Sequence, residues 1–137
     1  KGEYQITTVL ENLKNNNKLF LPHKIASWHD FGTPKNVLKS HAEILNKECP
    51  KNLKFKNTEI IDPCFIAEDV IISNSKIGPH VSIGRGSIIT SSTIKDTIIQ
   101  QNCNISGAKL KASIIGNNVQ YNNNFHSANI GDYSTFK

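Results

Sequence analysis

Large apolar residues return at every fifth or sixth position from Ile66 to Tyr121. The series is Ile66, Ile72, Ile77, Ile83, Ile89, Ile94, Ile99, Ile105, Leu110, Ile115, Tyr121, with steps of 6, 5, 6, 6, 5, 5, 6, 5, 5 and 6. Taken in threes the steps sum to 17, 16 and 16, so Ile66, Ile83, Ile99 and Ile115 head successive turns of one repeating unit. An amphipathic helix brings apolar residues back every third or fourth position, and a half-buried strand every second. The observed step excludes both. It predicts a flattened coil of three short sides, each giving one large inward residue, with coils stacked at the inter-strand spacing of about 4.8 Å.

A second register supports this coil. Four residues after an anchor, a six-residue side needs another inward group small enough to lie beside the stacked anchors, and Val70, Val81, Ser87, Cys103 and Val119 occupy those places. On the five-residue sides beginning at Ile72, Ile89 and Ile105 the small residue moves up by one, to Ser75, Ser92 and Ala108. Gly78, Gly84, Gly86, Gly116 and Asn117 are expected at corners, where tight or left-handed backbone is needed. This is a hexapeptide-repeat pattern, and it predicts a parallel β-helix. Its resemblance to known hexapeptide proteins implies a left-handed coil, an exception to the usual right-handed crossover.

The pattern changes on either side of the coil. Before it, alternation predicts short strands at 1–6, 18–21 and 25–29, the last two broken by Pro22. Thr7 or Thr8 is expected to cap a short helix with Val9, Leu10 and Leu13 on one face, ended by Asn15, Asn16 and Asn17. A second helix follows the turn at Phe31-Gly32, with Thr33 as N-cap, Pro34 in the first helical position, and Val37, Leu38, His41, Ile44 and Leu45 as its buried stripe. Apolar periodicity fades between Asn46 and Thr58. The expected organisation is therefore an α/β piece at 1–50, a linker at 51–59, and the β-helix at 60–137 with a cap formed by Asn129 to Ser134. The class is mainly β.

Composition adds limits. A hydrophobic content of 37% suffices for a core, and there is no run of eighteen apolar residues of the kind that spans a membrane. The chain has no methionine and starts at Lys1, which reads as a piece of a longer protein. A formal charge of +5 invites a nucleic-acid partner. The lysines are spread along the chain with no arginine-rich or aromatic-interleaved strip, so no nucleic-acid or membrane partner is expected. Cysteines at 49, 64 and 103 have no metal-ligand spacing. Cys103 already serves as a small inward residue, so free thiols and a reducing, cytoplasmic compartment are expected.

Two stretches carry candidate chemistry. Gly2-Glu3-Tyr4-Gln5-Ile6-Thr7 and Trp28-His29-Asp30-Phe31-Gly32-Thr33-Pro34 each set a carboxylate beside glycine at a strand end. Asp30 reads either as a turn former, which the residues alone favour, or as an oxygen ligand for a hard cation. Glu3 reads either as an exposed strand residue or as an acceptor for sugar hydroxyls.

The order GEYQIT, W-x-D-x-G-T-P, helix and hexapeptide coil resembles the C-terminal portion of sugar-phosphate nucleotidyltransferases of the glucose-1-phosphate thymidylyltransferase type. Pro63-Cys64-Phe65-Ile66, Ile77-Gly78-Pro79-His80-Val81-Ser82-Ile83-Gly84 and Asn129-Ile130-Gly131-Asp132-Tyr133-Ser134 are similar to the long members of that family. The resemblance implies that Glu3, with Gly2, meets the sugar phosphate and that Asp30 binds the catalytic Mg²⁺. It also implies nucleoside triphosphate and sugar 1-phosphate as substrates, and a homo-oligomer assembled through the β-helix. Thr8 stands where the family usually has aspartate. The family's glycine-rich G-x-G-[ST]-R loop does not occur, because Gly84-Arg85-Gly86 falls inside the repeat, so this chain alone is expected to be inactive. The alternative is a hexapeptide acyltransferase, with His80 as an outward general base at a subunit interface. His126 in the tail is a weaker candidate for that role.

Overall fold

The computed structural model describes residues 5–48, 54–122 and 127–136. Each predicted anchor row is a parallel ladder. The first coil consists of β1 (Glu59–Ile60), β2 (Cys64–Ile66) and β3 (Ile71–Ser73), and the second of β4 (Lys76–Ile77), β5 (Val81–Ile83) and β6 (Ile88–Thr90). The third runs through β7 (Thr93–Lys95), β8 (Thr97–Ile99) and β9 (Asn104–Ser106), the fourth through β10 (Lys109–Lys111), β11 (Ile114–Ile115) and β12 (Gln120–Tyr121). These stack as three sheets, in the orders β1-β4-β7-β10, β2-β5-β8-β11 and β3-β6-β9-β12. Ile60, Ile77, Ile94 and Leu110 are register partners in the first sheet, Ile66, Ile83, Ile99 and Ile115 in the second, and Ile72, Ile89, Ile105 and Tyr121 in the third.

Every predicted anchor from Ile66 to Tyr121 is buried, as is every predicted small inward residue. Cys64, Thr97 and Ser113 fill the row that also holds Val81. Buried hydroxyls in these rows are all engaged. Ser75 Oγ accepts the Ser92 amide at 3.0 Å, Ser92 Oγ accepts that of Ala108 at 3.1 Å, and Ser87 Oγ accepts that of Cys103 at 3.1 Å. A small polar side chain can therefore replace an apolar one in the stack, because it joins one coil to the next and leaves no buried donor unpaired. Cys103 Sγ donates to the Gly116 carbonyl at 3.0 Å, and burial pushes this thiol above its ordinary range. Cys64 is also buried, and Cys49 lies outside the described residues.

The corners follow expectation in part, Gly78 and Gly86 taking positive φ as predicted. Left-handed backbone recurs at the corners, at Asn57, Asn74, Ser91 and Gly107, at Gly78, His80, Asp96 and Ala112, and at Gly86, Asn102, Asn118 and Tyr133. Asn118, not Asn117, takes that conformation. Gly84 and Gly116 are absent from the set, and their lack of a side chain is instead required by the next coil, which passes within contact of where a Cβ would lie. Asparagine dominates because its short amide tolerates this region better than other side chains.

Two boundaries move as well. Lys56 bridges Ser73 in parallel and Phe55 packs partly buried on the core, so the stack starts inside the stretch expected to be a linker. At the other end β13 (Asn129–Ile130) pairs with β11 and β14 (Thr135–Phe136) pairs with β12. The expected cap is thus a further partial coil, with Ile130 in register with Ile115.

Residues 5–48 carry two helices and, among the described residues, no strand. Helix α1 (Ile6–Asn15) starts earlier than expected, with Gln5 rather than a threonine at its N-cap, so Thr7 and Thr8 lie in its first turn. It ends at Asn16, with Asn17 left-handed and the Lys18 amide donating to Leu13 O at 3.1 Å. The segments 18–21 and 25–29 form no strand, and Ala26 lies in a bend. A segment becomes a strand only with a ladder partner, and none adjoins them among the described residues. Their apolar residues, with those of α1, are exposed, from Leu13 at 39% to Leu19 at 84%. Helix α2 (Pro34–Glu48) begins as predicted, the Asn36 amide donating to Thr33 Oγ1 at 3.3 Å. Leu45 and Ser40 are buried on it, while Ile44 at 36% exposed leaves the predicted stripe. Among the described residues no helix is long and apolar enough to cross a membrane.

Candidate functional site

Asp30 occupies the turn that leads into α2. Its Oδ1 accepts the Gly32 amide at 2.7 Å, its Oδ2 accepts the Asn36 side-chain amide, and its backbone carbonyl accepts Ser40 Oγ at 3.2 Å. The turn-forming reading of this residue is therefore correct. It does not exhaust the carboxylate, which has about four acceptor positions and uses one on each oxygen. Asp30 lines an open cleft of about 210 Å³ with Trp28, Asn36, Lys39, Ser40 and Glu43. Trp28 is 75% exposed beside it. His29 Nδ1 lies 3.5 Å from Glu43 Oε2, long for a hydrogen bond, and that buried nitrogen has no hydrogen-bond partner. Gly2 and Glu3 lie outside the described residues.

Asp30 is the one predicted cation ligand among the described residues, where no group of three His, Cys, Asp or Glu comes together to hold a metal. Such a site still fits Mg²⁺, which is commonly bound through one or two carboxylates while phosphates and water complete its shell. Asn36 and Ser40, which hold Asp30 in place, were not singled out from sequence. Their signal was a polar residue at each of two positions four apart on the inward side of α2.

His80 lies at a corner of the coil with left-handed backbone, as an outward residue. The fold adds partners that sequence reasoning missed. Its Nδ1 is 3.1 Å from Asp96 Oδ1, and its Nε2 is 3.4 Å from Asn46 Oδ1 on α2. Asp96 follows His80 by sixteen residues, one turn of the coil, so the repeat period itself could have identified the pair. A carboxylate on Nδ1 is how a general base is oriented. The nitrogen that would collect a proton is, however, turned toward α2. Beside this pair, His41 Nε2 lies 2.6 Å from Ser82 Oγ. His126 lies outside the described residues.

A parallel β-helix of hexapeptide type, entered through a capped helix that presents a carboxylate turn, defines the class. No family model matches the chain. It is similar to glucose-1-phosphate thymidylyltransferase of Streptomyces antibioticus, 26% identical over 160 residues that take in 98% of this chain and 45% of that protein. It is 29% identical over 139 residues to the bifunctional protein GlmU of a Geobacillus species, covering 96% of this chain and 28% of that one. A third relative, glucose-1-phosphate thymidylyltransferase of Streptomyces griseus, is 22% identical over 88% of this chain and 40% of its own length. The similarity falls in the C-terminal part of these proteins. The chain spans less than half the length of each.

Proposed function

We propose that this chain is the C-terminal part of a sugar-1-phosphate nucleotidyltransferase, which joins a nucleoside triphosphate to a sugar 1-phosphate and releases pyrophosphate. The observation that carries this reading is the similarity to a thymidylyltransferase along 98% of the chain, through the Asp30 turn and the coils alike. Asp30 supplies one carboxylate oxygen to Mg²⁺, and the ion neutralises charge where the phosphates crowd together. Gly32 and Asn36 fix that carboxylate, and Trp28 walls the cleft. Glu3, beside Gly2, accepts hydroxyls of the sugar phosphate. The exposed apolar face of α1 and residues 19–28 suit a sheet supplied by the remainder of the parent enzyme. This chain alone, without a G-x-G-[ST]-R loop, is inactive. The β-helix serves assembly and regulation, associating through outer faces such as that of β3 and β6, where Ile71 and Ile88 are exposed register neighbours. Buried cysteines suit a cytoplasmic setting. The acyltransferase alternative is disfavoured by the position of His80 Nε2 against α2.

Asp30→Asn in the parent enzyme tests the assignment. The substituted side chain still accepts the Gly32 amide, but its new NH₂ group opposes that of Asn36, so stability falls by about 1 kcal/mol. Turnover is expected to fall by about 10²-fold or more, the scale of losing one transition-state charge contact. Glu3→Gln acts mainly on the sugar-phosphate KM. Near-normal turnover with Asp30→Asn returns the residue to the role of turn former and removes it from the site.

A further inference from the structure

Helix α2 meets the β-helix across a seam containing two histidines. At one point His41 Nε2 touches Ser82 Oγ at 2.6 Å, while its Nδ1 is buried with no hydrogen-bond partner. Five residues further on, Asn46 Oδ1 lies 3.4 Å from His80 Nε2. On the coil side the charged groups are His80, Asp96 and Lys95. Asp96 is shared between His80 Nδ1 at 3.1 Å and Lys95 Nζ at 3.9 Å. On the helix side Lys39 lies 4.0 Å from Glu43, and Glu43 faces His29 on the flank opposite His41. His41 therefore faces a hydroxyl and a second histidine, and none of these ion pairs brings it a carboxylate.

A serine hydroxyl donates or accepts, so it serves either tautomer of a neutral imidazole. The imidazolium carries two N–H groups, and the second would be buried without an acceptor beside another histidine. A buried charged donor without a partner is strongly disfavoured.

We propose that protonation of His41 releases α2 from the β-helix, so that the helix carrying the Asp30 turn is docked near neutral pH and loosened in mild acid. The consequence for Asp30 rests on the nucleotidyltransferase reading, whereas the release itself does not. Burial, and secondarily the neighbouring His80, hold His41 below the ordinary histidine range. The docked state thus binds the proton less readily than the released one. Docking is fully present above the ordinary histidine pKa of about 6.5 and is lost as pH falls below it, by at most about tenfold per pH unit for one proton.

Amide hydrogen exchange on the full chain, corrected for intrinsic rates, tests this at about pH 7.5 and about pH 5. The amides of α2 are expected to lose protection by about tenfold or more at the lower pH, while those of β4 to β11 keep theirs. His41→Gln retains an amide partner for Ser82 but cannot take a proton, and is expected to abolish the difference. In the wild type, the His41 ring titration followed by NMR and the loss of α2 protection must share a midpoint. Equal α2 protection at both pH values, a difference that persists in His41→Gln, or separate midpoints would overturn the proposal. The midpoint comparison stands even if the variant fails to fold. No readout involves nucleotidyl transfer, so failure of the latch and failure of the enzymatic reading are told apart.

Discussion

Replacing Ile94 by aspartate, and Thr93 by aspartate beside it, separates the interior of the coil from its surface with one chemistry. Ile94 is fully buried between Ile77 and Leu110, its register partners above and below. Truncation to alanine at such a site costs about 2–5 kcal/mol. Aspartate loses the same burial and adds an unpaired carboxylate in a dry stack, a penalty of several kcal/mol more even if the group protonates. The sum reaches the whole stability of a typical domain, about 5–15 kcal/mol, so the Ile94→Asp chain is expected to be unfolded. Thr93 is exposed on the same strand, with Lys76 and Lys109 as its register neighbours. Aspartate there loses β-propensity, about 1 kcal/mol at most, and regains part of it from the two flanking lysines. Urea unfolding followed by far-UV circular dichroism measures both, since Trp28 lies outside the coil and does not report on it. Equal cost for the two variants, or a folded Ile94→Asp chain, would refute the packing argument.

Gly78 has a φ of +104°, and a Cβ there would collide with the Ile61 carbonyl of the previous coil. Gly78→Ala is expected to cost at least about 2 kcal/mol in the same unfolding measurement, whereas Gly131→Ala, with open space around it, stays within about 0.5 kcal/mol of wild type. Light scattering is expected to show a concentration-dependent oligomer that Ile71→Glu shifts toward monomer without loss of fold. A monomer at every concentration tested would remove the assembly role proposed for the coil.

The coil was legible because its inward rows obey a local rule. A side of five or six residues with one large and one small inward group fixes the register without knowledge of any distant partner, so Ile66, Ile83, Ile99 and Ile115 align as the arithmetic requires. Corner conformation was less legible, since Asn57, Ser91 and Ala112 share left-handed backbone without sharing a side-chain type. The segments at 18–21 and 25–29 were misread for a different reason. Alternation records which faces a strand would bury, but a strand also needs a neighbour, and Leu19, Leu21 and Ile25 have no ladder partner among the described residues. Asp30 stands out as a candidate through its motif, while the residues that hold it, Asn36 and Ser40, emerge only when α2 folds back over the turn.

The two ends of α2 perform different work, and the helix is stiff enough to connect them. Its fifteen residues span about 22 Å. The first two turns hold Asp30 through Asn36 and Ser40, and the last turn reaches the His80 corner through Asn46. Between them His41 fastens the helix to Ser82 on β5. A displacement of the helix at the coil therefore moves the Asp30 turn as well, because the side chains that hold it belong to the same rigid element. In the proposed nucleotidyltransferase this would give the β-helix a physical route to the carboxylate assigned to the metal. On the proposed reading, association of coils and placement of Asp30 would be coupled through one helix, and His41, held below the ordinary histidine range by burial, would loosen that coupling in mild acid.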